Sequence, residues 1–216
     1  MAAHRPIESE LKYALSHDEY RRLLAHFPRV KPQVQTNYYF DNPNGWPIRR
    51  SGGGLRIRLT EGRRATVTWK GPALKRPKGP RSLKVRTELE AEIPLATARK
   101  VIGGKRALTS LPIPPARAVA ALVPLEALDG VVCLGSLANQ RSTVRYQRLL
   151  LEIDKTRCFQ GTTYELEVET SAPVEAARLV RGLFRILKIR YRPRETSKLA
   201  FFLRAYRARR RSLDRR

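Results

Sequence analysis

The stretch IESELKY, residues 7–13, sets Glu8, Glu10 and Lys12 at every second position between Ile7, Ser9, Leu11 and Tyr13. Successive side chains of a β-strand point to opposite faces, so this spacing predicts a strand with one wholly charged face. Seven further segments alternate in the same way: QTNYYFD (35–41), GLRIRLT (54–60), ATVTWKG (65–71), LKVRTELEAEI (83–93), RSTVRYQ (141–147), LLLEIDKT (149–156) and TYELEVE (163–169). Their apolar phase holds Leu55, Ile57, Val67, Trp69, Val144, Leu151, Ile153, Leu166 and Val168. Between the strands, helices are predicted over 17–27 after Ser16 as N-cap, over 95–103, around 115–125, over 173–187 and over 197–210. The apolar spacing in ARLVRGLFRILKI (177–189) is that of an amphipathic helix packed on a core.

The polar phase sorts by sign. Arg56, Arg58, Lys70, Arg86, Arg141 and Arg145 supply cations, while Glu88, Glu90, Glu152, Asp154, Glu165, Glu167 and Glu169 supply carboxylates that repel one another unless compensated. A solvated sheet face mixes Thr, Ser, Gln and scattered charge instead. A multivalent anion satisfies the cations and a hard divalent cation satisfies the carboxylates, and Mg²⁺ or Mn²⁺ is expected where carboxylates meet phosphate oxygens. Eight antiparallel strands can close into a barrel, which removes exposed edges and encloses this polar face, with the apolar phase outward under helices. The other solution is an open sheet with a wet charged face, and the pattern by itself leaves both standing.

Composition sets the outer bounds. A chain of 216 residues with 42% hydrophobic residues suits one domain with a real core. The Gly/Pro-rich stretches 42–54 and 71–81 read as surface connections, because the strand pattern resumes directly after each. We therefore expect a single domain over 1–203 followed by an Arg-rich tail, 204–216. The first 30 residues show no apolar run behind a basic start, and no stretch approaches the roughly 20 apolar residues of a membrane span. The expected location is the cytoplasm, as a monomer or homodimer without membrane contact. The net charge of +25 points to a polyanionic partner. Cys133 and Cys158 have no CxxC or His-cluster context and read as reduced thiols.

With these residues in order, the chain resembles the CYTH family, the triphosphate tunnel metalloenzymes. The ExExK of Glu8, Glu10 and Lys12 is followed by YYFD, LRIR, TVTWKGP, RTELE, LLLEID, YELEVE and SKLAFF, from about Ile7 to Leu203. The run at 132–170 is most similar to the plant-type and related bacterial tripolyphosphatase branch. The resemblance implies an α+β, mainly β fold, an eight-stranded antiparallel closed β-barrel with helices outside. It further implies hydrolysis of a linear triphosphate inside the tunnel with Mg²⁺ or Mn²⁺. Glu8 and Glu10 then correspond to metal-site carboxylates, with Glu88, Glu90, Glu152, Asp154, Glu165, Glu167 and Glu169 as the further acidic positions. Lys12, Arg56, Arg58, Lys70, Arg86, Arg141 and Arg145 correspond to the set that grips the phosphates. Glu167 and Glu169 are assigned to metal binding and water activation, and Lys198 to a lysine that closes one tunnel mouth.

The same tunnel resembles class IV adenylyl cyclases, thiamine triphosphatases and RNA 5′-triphosphatases; the similarity to the plant-type branch puts inorganic tripolyphosphate first, with nucleoside triphosphate, thiamine triphosphate or a cyclase-like reaction as alternatives. A non-catalytic module that holds long polyphosphate or nucleic acid on the basic exterior and tail is the alternative outside enzymes. Against it, only 7% of the chain is aromatic, which leaves little for base stacking. Tyr39 reads first as a packing residue and second as a catalytic partner of a lysine. Asp41 either faces the tunnel mouth or begins the NPNG turn. Gly52–Gly54 lack a following GK[ST] and open a strand, unlike a phosphate loop. His4, His17 and His26 have no ligand spacing.

Overall fold

A computed structural model describes residues 7–27, 29–74, 79–159, 161–194 and 196–213, without the side chains of 210–213. His4 lies outside the described residues, as does the 75–78 part of the basic 71–81 loop. Eight strands form one closed antiparallel barrel: β1 (Ile7–Leu15), β2 (Gln33–Asp41), β3 (Gly54–Thr60), β4 (Arg64–Ala73), β5 (Leu83–Ile93), β6 (Val132–Tyr146), β7 (Leu149–Cys158) and β8 (Gly161–Glu169). Around the wall they run β1-β5-β4-β3-β2-β6-β7-β8, and β8 pairs back onto β1. Closure decides between the two sheet solutions: the charged phase lies inside.

The apolar phase faces out and meets helices in two clusters. Leu11, Tyr13, Leu151, Ile153, Leu166 and Val168 pack with Val180, Leu183 and Phe184 of α6 (Pro173–Ile186) and Leu23 of α1 (His17–His26). Ile57, Val67 and Trp69 pack with Ala98 and Val101 of α3 (Leu95–Ile102) and Val119 of α4 (Pro114–Ala120). Single-turn helices α2 (Pro47–Arg50) and α5 (Leu125–Leu128) complete the connections.

The last helix, α7 (Lys198–Leu213), is used differently, because it seats in one end of the barrel. Phe202 lies 4.9 Å from Tyr39, in a buried group with Leu137 and Leu203. Tyr39 pairs with Gly135 and Asn37 with Leu137, so these residues share the inward face. Two glycines permit the approach. Gly135 takes φ +136°, which other residues rarely adopt, and a Cβ on Gly54 would stand 2.6 Å from the Leu199 side chain. The helix continues unbroken past 203, and Ala205 is fully buried, so the first turn of the Arg-rich segment belongs to the folded body. No described helix is long and apolar enough to cross a membrane.

A strap between α6 and α7 lays Arg190–Arg194 along the end of β1. The Ala14 N–H donates to the Arg192 carbonyl at 2.9 Å, and the Arg194 N–H donates to the Lys12 carbonyl at 2.9 Å. Glu19 fastens it from α1. Its carboxylate accepts from Ser16 N at 2.7 Å and Arg190 N at 2.9 Å and also takes the Arg192 guanidinium. The Ser16 hydroxyl accepts in turn from Glu19 N, which completes a capping box.

Candidate active site

The barrel encloses a cavity of about 1050 Å³ lined by Glu8, Glu10, Lys12, Arg56, Arg58, Lys70, Arg86, Glu88, Glu90, Arg141, Glu152, Glu167, Glu169 and Lys198. Strand register explains the grouping, since paired residues share a face: Glu8 opposes Arg86, Glu10 opposes Glu169, Lys12 opposes Glu167, Lys70 opposes Glu88 and Glu152 opposes Glu167. Asp154 and Glu165 face the same interior but lie deeper, beneath Lys198. One expected site residue departs. Arg145 is exposed and absent from the lining; its partner is the exposed Leu150 beside the Gln147–Arg148 turn, so it keeps the inward phase but projects past the rim.

The charges form two tiers. In the deep tier Asp154, Glu165 and Glu167 are met by Lys12, Arg141, Arg194 and Lys198. Arg141 donates through Nε to Asp154 at 2.9 Å and through Nη2 to Asp154 and Glu167 at 2.6 and 2.5 Å. Lys12 Nζ reaches Glu167 at 2.6 Å, and Arg194 Nε stands 2.7 Å from Glu165. Asn139 donates to Asp154 at 3.0 Å and accepts from Thr156 at 2.7 Å. Burial alone would raise the Glu167 pKa, yet Lys12, Lys198 and Arg141 hold it well below the carboxylate range. Asp154 is lowered against burial by Lys198 and Arg141. Lys12 is correspondingly raised well above its ordinary value by Glu10, Glu167 and Glu165, which outweigh its burial.

The shallow tier is unbalanced in both signs. Glu8 is raised by burial and its hydrogen bond with Glu88, although Lys70 Nζ sits 2.8 Å away. Glu169 is raised by burial and by Glu8 and Glu10, and it makes no ion pair among the described residues. Glu152 is raised by burial, which outweighs the pull of Arg141. On the cation side, Arg58 is lowered to about 10 by burial and by Arg56 and Arg141, with Asn37 accepting from its Nε at 3.0 Å. The buried Nε atoms of Arg56 and Arg86 have no hydrogen-bond acceptor, and Arg56 is only within 3.8 Å of Glu88. Guanidinium donors without acceptors and crowded carboxylates in one cavity form a lining whose chemistry suits an anion and a hard cation together.

The remaining expectations resolve by contact. Tyr39 lines the cavity and stacks on Phe202, and burial raises its pKa. Asp41 does not reach the cavity: it accepts from the backbone N–H groups of Asn42, Ile48 and Arg49, at 2.8, 3.1 and 2.9 Å, and so caps α2. That places Gly52–Gly54 on the cavity rim as lining backbone. His17 is exposed beside Asp18, and His26 meets Phe27 edge-to-face. Cys133 and Cys158 are free thiols. Residues the sequence did not single out also belong to the interior: Asn37, Asn139, Thr68, Lys84 and Arg194. Asn139 stands two before Arg141 in the inward phase and becomes visible once the strand is extended backwards; Arg194 sits in an aperiodic strap and gives no such signal.

A CYTH domain model matches residues 6–202, and the chain belongs to that family. No curated protein matches it. Among solved structures, HpAC1 from Hippeastrum is 27% identical with a TM-score of 0.82, covering 92% of this chain and 96% of that one. It is described as an adenylyl cyclase candidate with a dominant triphosphatase activity. A Bacillus halodurans protein described as an adenylate cyclase candidate is 20% identical with a TM-score of 0.70, covering 89% of this chain and 96% of that one. PH1819 from Pyrococcus horikoshii is 18% identical with a TM-score of 0.58, covering 92% and 99%. The latter two share the fold.

Glu8, Glu10 and Glu169 fit a hard divalent cation. They offer only oxygens to one cavity, Glu10 and Glu169 are directly paired, and Glu8 and Glu169 carry raised pKa values in part because like charges surround them.

Proposed function

We propose that this protein hydrolyses a linear triphosphate inside the barrel with Mg²⁺ or Mn²⁺, with inorganic tripolyphosphate as its preferred substrate. One observation carries the reading: unmet donors of Arg56 and Arg86 and the crowded acids Glu8, Glu10 and Glu169 line the same cavity. The described triphosphatase activity of HpAC1 supports the same class of chemistry. The choice of an inorganic substrate rests on the lining, whose one aromatic residue among those described, Tyr39, is buried against Phe202.

Phosphoryl transfer depends on positioning and charge stabilisation more than on covalent help. Arg56, Arg58, Arg86 and Arg141 grip phosphate oxygens with paired guanidinium donors, and Lys12, Lys70 and Lys198 add point charges. A divalent cation held by Glu8, Glu10 and Glu169 neutralises phosphate oxygens when bound. Glu169 would orient the attacking water and accept its proton on the carboxylate oxygen that the cation leaves free. Glu167 is already shared among Lys12, Arg141 and Lys198, and its part is to align those cations. In-line attack of water on a terminal phosphorus then breaks its bridging P–O bond, giving orthophosphate with pyrophosphate as the leaving group.

Orthophosphate release from tripolyphosphate, ATP and thiamine triphosphate, each with Mg²⁺, Mn²⁺ or chelator, tests the substrate assignment. We expect metal-dependent release, fastest from tripolyphosphate. Faster turnover of ATP, with cyclic AMP as product, favours the cyclase reading suggested by the descriptions of the neighbours.

A further inference from the structure

We infer that Lys198 is the resident cation of the Asp154–Glu165–Glu167 cluster, so that the protein's own ammonium fills the position where those carboxylates would otherwise hold a divalent ion. The cluster has the composition and spacing of a metal site: one oxygen from each of the three buried acids lies within 4.8 Å of the others. The position is taken. Lys198 Nζ donates to Asp154 Oδ2 at 2.7 Å and Glu167 Oε1 at 2.9 Å, and it also pairs with Glu165.

Two features make this a built arrangement. The first is charge: Lys12, Arg141, Arg194 and Lys198 meet the three carboxylates, with Lys12 and Arg141 also reaching Glu10 and Glu152, so a divalent ion added there would enter a place where every carboxylate already faces a cation. The second is delivery. Lys198 is the first residue of α7, and the strap leading to it is tied through Arg192 and Arg194 to the β1 backbone. Phe202, one turn further on, is buried against Tyr39, which holds the helix start in the barrel end. The ammonium therefore arrives with folding and needs no metal concentration to stay. Of the shallow acids, Glu10 pairs with Lys12 and Glu8 with Lys70, while Glu169 makes no ion pair among the described residues.

Only the placement of the shallow ion rests on the proposed function; the claim about Lys198 stands on the deep tier alone. Mn²⁺ binding to the whole chain, followed by titration calorimetry and by the electron paramagnetic resonance of free Mn²⁺, tests it without substrate. Glu165→Gln in the otherwise wild-type protein is expected to leave the number of bound Mn²⁺ ions unchanged. Lys198→Met is expected to bind one Mn²⁺ per chain more than wild type, and adding Glu165→Gln to that variant is expected to remove the extra ion. The inference is overturned if Glu165→Gln alone removes a bound ion, or if folded Lys198→Met gains none. Should Lys198→Met fail to fold, Glu165→Gln alone decides. A wild type that binds no Mn²⁺ contradicts the shallow site of the proposed function, and an ion gained in Lys198→Met still supports the deep one.

Discussion

Glu167 and Glu169 stand two residues apart on β8, face one cavity and titrate in opposite directions. Cations surround Glu167 and lower it; burial and the neighbouring Glu8 and Glu10 raise Glu169. For Glu167 and Asp154, folded values below the unfolded value of about 4 mean stability that is present above that pH and lost as pH falls through the folded values. For Glu8, Glu152 and Glu169 the sign reverses: their contribution is present below the unfolded value and lost as pH rises through the raised folded ones. A cation on the ionised acids offsets that loss. The rise in Tm on adding Mn²⁺ is therefore expected to grow as pH climbs above the ordinary carboxylate range, and to shrink in Glu169→Gln; a rise independent of pH in wild type would count against the shallow site. On the anion side, Arg56→Ala removes charge-assisted contacts worth about 1.5–3 kcal/mol, so KM for tripolyphosphate is expected to rise roughly 10- to 100-fold. Steady-state kinetics read this directly, and an unchanged KM would remove Arg56 from the substrate contacts.

Among the elements, the strap and α2 show how the interior is held by residues outside it. Glu19→Ala leaves the Ser16 and Arg190 N–H groups without their acceptor, at about 1–3 kcal/mol for each that stays buried. We expect a loss of about 3 kcal/mol, or roughly 6–12 °C in Tm. Asp41→Ala uncaps α2 and is expected to cost about as much; a drop below about 1 kcal/mol in either variant would mean that water replaces the lost acceptor. Element boundaries were legible where side chains alternate. Most of β1, β3, β7 and β8 follows the period-two pattern, and α6 its amphipathic spacing. The first half of β6, VCLGSLANQ from 132 to 140, was hidden because its inward face carries Gly135, Leu137 and Asn139 where the other strands carry charge. Gly135 and Leu137 on that face meet Phe202 of α7, and Asn139 bonds to Asp154. The strap has no period at all, and its position is set by tertiary hydrogen bonds to β1.

For the whole molecule, barrel closure converts a pattern of alternating charge into an enclosed polar cavity, and the sorting of that charge by sign was visible before any geometry. What the sequence left open was which acids are already neutralised. Pairing of Asp154, Glu165 and Glu167 with Arg194 and Lys198 requires the strap and α7 to fold back into the barrel, and no local spacing encodes that return. Closure also explains Arg145, which keeps the inward phase while the wall ends beneath it. The central claim is that the cavity is a metal-dependent triphosphatase site, and orthophosphate release from tripolyphosphate by wild type and by Glu8→Ala, with Mn²⁺ or with chelator, tests it most directly. The account predicts release by wild type with Mn²⁺ and loss of at least about 100-fold in Glu8→Ala or with chelator, the scale of about 2.7 kcal/mol of transition-state stabilisation. Tight, salt-sensitive binding of tripolyphosphate without release would contradict it and make the tunnel a receptor.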